Sequence, residues 1–259
     1  MIVFTPLKDI LSMAHVVLNS RTLRLRVFPR PKGKPARAKR ENTTLALFDP
    51  PSDDSADGPG DKLAEKVAAL CLLNRTNAEI LSRAPQLGLR DWWLTAGSLM
   101  ATVWNLRSGR AANQGIREYD LAYFTEDSSQ EAEEEVRRAA ARLFASLDVT
   151  VTVRNQARTH LWYAETFGVG YPPLTSASEG LLREPANAAT VGMKCSGADF
   201  FDVYAPLGIG DVWDMVARPN RVLPLAKTYE EMTLRWQARW PRLVIYPWVD
   251  EQEKNKQKQ

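Results

Sequence analysis

Residues 117–124 read Arg-Glu-Tyr-Asp-Leu-Ala-Tyr-Phe, a strand-like alternation with two acids two positions apart. Residues i and i+2 of a strand project from one face, so Glu118 and Asp120 stand side by side. Like charges at that spacing repel unless water, a base or a metal ion lies between them. Two readings fit: a divalent-metal site, or the solvated face of an edge strand.

The residues just upstream bear on the choice. Trp92-Trp93-Leu94-Thr95-Ala96-Gly97 is an apolar burst ending in glycine, predicted as a short buried strand. It delivers Gly97-Ser98 into a helix predicted over 98–106, with Leu99, Val103 and Leu106 on one side. A glycine there lets backbone approach a ligand, and N-terminal amides with a serine hydroxyl favour a phosphate. A loop, RSGRAANQG, then leads to the acidic strand. Paired carboxylates suit a Mg²⁺ ion whose other oxygens come from a nucleotide's phosphates.

Helices are predicted from Leu63, Val67, Leu70 and Cys71, and over 77–84. Another is marked by Val136, Ala139, Ala140, Leu143, Phe144 and Leu147, its Glu133–Arg137 and Glu134–Arg138 spacings reading as a solvated, ion-paired face. Strands follow in VTVTVRN (149–155) and ADFFDVYAP (198–206), then a helix capped by Asp211 and a last helix before WPRLVIY. The expected class is α+β, a small mixed sheet covered by helices in one domain over 61–248.

Residues 1–60 read as an extension. The stretch 21–40 carries nine Arg or Lys and no acid, and DPPSDDSADGPGDK has a linker's composition. A poorly ordered segment and a basic arm touching nucleic acid both remain open. The tail over 249–259 is expected to fray. No apolar run reaches the ~20 residues of a membrane span. The apolar opening precedes its basic stretch, the reverse of a secretory signal, so a soluble cytoplasmic protein is expected. Two cysteines, Cys71 and Cys195, lie among apolar neighbours and are expected as free thiols; with His15 and His160 far apart, a zinc site is not expected.

Gly-Ser at a helix start followed by acid-x-acid on the next strand resembles the nucleotidyltransferase fold shared with DNA polymerase β. The resemblance sharpens with WWLTAGSLMATVWNLRSG, EYDLAYF, NQARTHLWY, ATVGMK, VYAPLGIGDVWDMVARPN and WPRLVIY in that order. Over about residues 65–247 the chain is similar to a bacterial nucleotidyltransferase-like family of unknown function. The resemblance implies transfer of NMP from an NTP to an unidentified hydroxyl acceptor, with two Mg²⁺ ions. Gly97 and Ser98 fall on the phosphate turn, and Glu118 and Asp120 on the metal acids. Glu118 stands where the family usually has aspartate, reaching about 1.5 Å further.

A third acid is expected on the neighbouring strand, but that position reads Thr152, with Asp148 and Asp202 as possible substitutes. Arg154, Asn155, Gln156, Arg158 and His160 form a polar cluster. Within it, Asn155 and Arg158 are candidate nucleotide contacts, Arg158 as a bidentate phosphate ligand. Their alternative role is satisfying loop backbone. Lys194 can approach triphosphate if its strand borders the site, and Asn220 in Arg218-Pro219-Asn220 can be structural. The tryptophans read as core. The alternatives to transfer are a degenerate member that binds nucleotide or a partner, and a nucleic-acid binder relying on the basic arm.

Overall fold

The computed structural model describes residues 16–19, 22–26, 59–197 and 200–249. The strands are β1 (Val16–Asn19), β2 (Thr22–Arg26), β3 (Asp91–Thr95), β4 (Glu118–Phe124), β5 (Thr150–Asn155), β6 (Gly192–Gly197), β7 (Phe200–Tyr204), β8 (Val216–Ala217) and β9 (Val244–Ile245). The helices are α1 (Pro59–Leu73), α2 (Arg75–Arg83), α3 (Ala96–Arg107), α4 (Gln130–Leu143), α5 (Thr159–Phe167), α6 (Ala177–Leu182), α7 (Gly210–Asp214) and α8 (Ala226–Arg239).

Seven strands form one mixed sheet in the order β1-β2-β7-β6-β3-β4-β5, and β8 pairs β9 separately. All neighbours in the large sheet are antiparallel except β4 and β5, which α4 connects in a parallel crossover. The strands β1 and β2 lie in the segment expected as an extension; they form a hairpin that lengthens the sheet beyond β7. The linker's last residues, from Pro59, form the start of α1 instead of a linker; the other basic and linker residues of that segment, and the tail from 250, fall outside the described residues.

Alternation divides the sheet into two unlike faces. Trp92, Leu94, Tyr119, Leu121, Tyr123, Val153, Met193 and Val203 enter the main core, where α1, α2 and α3 supply Val67, Leu70, Ile80, Leu81, Leu99 and Val103. The cluster includes Trp104, which is fully buried and donates its indole N–H to the Val212 carbonyl at 2.9 Å. Trp92, Trp93, Trp104, Trp213 and Trp240 are all buried, as their sequence context predicts.

The opposite face is polar over half its width. Its other half is covered by α6, through a small cluster of Trp93, Ala122, Ala177, Leu181 and Tyr204. A side chain at Gly192 would meet Leu181 at 2.5 Å and Trp93 at 3.2 Å, so the bare backbone lets α6 lie close to the sheet. Asp91 ties down the start of α6 by accepting the Ala177 N–H at 2.7 Å.

Behind the acidic strand lies a buried polar network. The Asn74 amide donates to the Tyr119 hydroxyl at 3.1 Å and to Thr102 at 3.0 Å, while Asn77 donates to Thr102 at 3.2 Å. All four residues are buried, so these bonds replace water that β4, α1, α2 and α3 have excluded.

Two local expectations change. Asp211 lies inside the first turn of α7 instead of capping it, and its carboxylate takes Arg218 at 2.9 Å. Glu133 is buried instead of solvated: it accepts the Asn155 N–H at 2.9 Å and pairs with both Arg137 (3.1 Å) and Arg158 (3.2 Å). The packing of α4 on β5 has brought the predicted surface pair under cover. Glu134 accepts a hydrogen bond from Gln130 at 2.7 Å.

Candidate active site

The open half of the polar face starts where β3 ends. Thr95 precedes α3 in an extended conformation and makes no side-chain cap, so the first amides of this helix have no serine, threonine or aspartate oxygen on them. The macrodipole and those amides favour an anion there. Ser98 is buried, and its hydroxyl has no hydrogen-bond partner in the protein.

The acidic strand faces this turn. A Cβ on Gly97 would stand 3.9 Å from Asp120 Oδ2, so the glycine leaves a bare cradle against the carboxylate. Glu118 shares the face and is exposed; Asp120 is half-buried. The loop that leads to them is anchored by Asn105, which donates to the carbonyls of Ala112 (3.3 Å) and Gln114 (2.9 Å) and accepts from Trp240 at 3.0 Å. Arg239 also donates to the Gln114 carbonyl. Together these contacts determine where β4 begins.

On the parallel neighbour, Thr152 is level with Asp120 and Arg154 with Ala122. Thr152 and Arg154 therefore share the acids' face. The third acid expected on this strand is replaced by threonine, and of the two proposed substitutes Asp202 is placed elsewhere. Asp148 is exposed in the turn before β5. Asp202 accepts from Ser196 at 2.8 Å on β7, three strands from β4, or about 14 Å at ~4.8 Å per strand.

A carboxylate arrives from elsewhere. Glu184 follows α6, and the Asn220 amide clamps its loop by donating to the carbonyls of Leu182 (2.6 Å) and Glu184 (2.9 Å). The Asn220 N–H donates to Pro185 at 2.9 Å, so this asparagine does have a structural task. The Glu184 carboxyl is raised from its ordinary 4.5 to about 7, by burial first and the Asp120 charge second, with Arg154 opposing both. Glu184 as a whole residue is exposed, so it borders the open face and is not part of the core; it is the carboxyl that feels the low-dielectric surroundings. Burial first, then the Glu184 charge, lifts the Tyr163 phenol to about 12. Asp120, Glu184, Arg154 and Tyr163 thus share one electrostatic neighbourhood.

This shift carries a stability consequence. The folded state keeps the Glu184 proton at pH values where the unfolded chain has lost it, so its contribution is full below about 4.5 and declines as pH rises toward 7. Glu184→Gln will therefore gain stability relative to the parent at pH 8 compared with pH 5. Urea midpoints of both proteins at the two pH values measure this; an equal difference at both would rule out a raised carboxyl.

The other sequence candidates have different surroundings. The Asn155 side chain is spent on backbone: it accepts from Thr125 and Ala157 and donates to the carbonyls of Thr125 and Asp127. Arg158 pairs with Glu133 and donates to the Ser128 carbonyl. The Nδ1 atom of His160 is buried without a hydrogen bond. The Lys194 amine lies 4.4 Å above the Trp93 ring. Both cysteines are free, and burial drives the Cys71 thiol upward, which makes it inert.

Among the described residues, no group of three or more His, Cys, Asp or Glu side chains is arranged to hold a metal ion. Mg²⁺ commonly takes one or two carboxylates and fills its octahedron with water and substrate phosphate. Asp120 beside the Gly97 cradle, with Glu118 on the same face, fits that demand.

A nucleotidyltransferase family matches residues 82–245, from the end of α2 through β9. The chain belongs to this nucleotidyltransferase family. The match contains the Gly97 cradle, the acidic strand and Glu184. A structure solved by NMR and described as revealing a CCA-adding enzyme head domain is similar in fold. Its TM-score is 0.57 at 22% identity, covering 70% of this chain and 95% of that one. No curated protein sequence matches the chain. Among the described residues of this nucleotidyltransferase, no helix is long and apolar enough to cross a membrane.

Proposed function

We propose that the protein transfers NMP from an NTP to a hydroxyl acceptor in a Mg²⁺-dependent reaction. The observation that carries this reading is the bare Gly97 backbone against Asp120 at the start of an uncapped helix. The amides of this turn and the unpartnered Ser98 hydroxyl would take up triphosphate oxygens, with Arg154 supplying positive charge from β5. Asp120 and Glu118 would hold the metal, which when bound neutralises phosphate charge and polarises the reacting groups. The acceptor oxygen would form its bond to the α-phosphorus as the bond to pyrophosphate breaks. Glu184, near enough to Asp120 to feel its charge, is the carboxylate that would receive the hydroxyl's proton.

The absence of a three-acid group among the described residues favours a second reading, a member that binds nucleotide without turnover. One experiment separates them. The full chain is titrated with each NTP and Mg²⁺, following melting temperature and pyrophosphate release in the presence of hydroxyl acceptors. Stabilisation with release supports transfer, and stabilisation without release supports the binding reading. No stabilisation by any NTP removes both.

A further inference from the structure

The buried network behind the acids ties together the two halves of the site. Asn74 lies at the corner between α1 and α2, where its Oδ1 accepts the Thr76 N–H at 3.1 Å and caps α2. That bond settles which end of the amide is oxygen and leaves both donor hydrogens for the interior. One goes to Thr102 at 3.0 Å, the other to Tyr119 at 3.1 Å. Thr102 is on the helix that begins at the Gly97 turn, and Tyr119 stands between Glu118 and Asp120.

Thr102 carries the link onward. A threonine hydroxyl has one proton and two lone pairs. Its proton goes back to the Ser98 carbonyl at 2.7 Å, and the Asn74 and Asn77 amides fill both lone pairs. Asn77 is held in turn by donating to the Cys71 carbonyl at 3.0 Å. The Thr102 hydroxyl therefore has one orientation and no spare bond. Three consecutive hydrogen bonds thus run from the Ser98 carbonyl, through Thr102 and Asn74, to the Tyr119 hydroxyl. Each end is one residue from the site, since Gly97 precedes Ser98 and Asp120 follows Tyr119. Every member is buried, so no water competes for these bonds.

We propose that Asn74 is a positioning residue whose amide fixes the separation between the Gly97 turn and the Asp120 carboxylate, so that one Mg²⁺ ion can join carboxylate to phosphate. Mg²⁺ holds its oxygens at about 2.1 Å in a near-ideal octahedron, so a turn and a strand free to drift would not share it. This role rests on the nucleotidyl-transfer reading of the site, but its test reads binding and not turnover.

Asn74→Ala would also strip the cap from α2, so the two arms are cut singly. Tyr119→Phe and Thr102→Val each remove one hydroxyl at nearly constant shape, and Thr102→Ser keeps it. The full chain and each variant are titrated with ATP by calorimetry, once in EDTA and once in Mg²⁺. The ratio of the two Kd values is the readout; association of Mg²⁺ with free ATP contributes equally to all. A merely structural role would lower urea midpoints and leave this ratio alone, because binding is read on folded protein. The ratio should fall about tenfold in Tyr119→Phe and Thr102→Val, the scale on which outer partners of metal ligands act, and stay parental in Thr102→Ser. A parental ratio in either Tyr119→Phe or Thr102→Val overturns the bridge, as does a Thr102→Ser variant as impaired as Thr102→Val. So does a parent whose ATP binding ignores Mg²⁺. A lowered ratio in a protein that releases no pyrophosphate upholds the positioning and removes the transfer reading. Pyrophosphate release with a parental ratio in every variant does the opposite.

Discussion

Asp120→Asn will fold as the parent does and release no measurable pyrophosphate. The substitution is isosteric at a half-buried position on the open face, so packing behind β4 is untouched. It removes one negative charge from the place where the Gly97 cradle meets the strand. If the metal supplies several kcal/mol to the transition state, losing its principal ligand costs on the order of 10³-fold in rate, at ~1.4 kcal/mol per tenfold. Loss of the like charge should also let the Glu184 carboxyl fall toward its ordinary range. Pyrophosphate release and melting temperature measured together check this. Retention of parental activity would take Asp120 out of the mechanism.

Trp104→Ala will have the opposite profile, a collapse of stability with no direct effect on the chemistry. The ring is fully buried and meets Trp236 and Trp240 edge-on, at 5.2 and 5.1 Å between centroids. Deleting it leaves a large void and strands the Val212 carbonyl, which accepts its N–H. Such truncations cost about 3–5 kcal/mol. Trp104→Phe should fall between parent and alanine variant, since it restores ring contact but not the hydrogen bond. Urea midpoints at neutral pH give the order. An alanine variant within about 1 kcal/mol of the parent would mean that the core relaxes around the gap.

What the sequence discloses depends on how local each contact is. Gly97, Ser98 and Asp120 are legible because a strand, a turn and the next strand bring them together through periodicity and one short loop. The same alternation places Arg154 with the acids and sends Asn155 to the other side, a distinction that the cluster's composition alone conceals. Glu133 reads as a surface partner of Arg137 because i, i+4 spacing cannot reveal that α4 lies on β5. Glu184 is the least legible. It is one acid before a proline, and only the clamp from Asn220, thirty-six positions later, brings it beside Asp120.

The Tyr119 hydroxyl, buried behind the acids and tied to Asn74, has a consequence for folding as well as stability. A one-residue slip of β4 against β3 would turn Glu118 and Asp120 into the hydrocarbon interior and Tyr119 out to water. The misregistered sheet would then have two buried acids, and the buried Asn74 amide would lose one of its two acceptors. The tyrosine thus acts as a locking pin, and the side of the sheet on which chemistry can occur is selected from the side that never meets substrate.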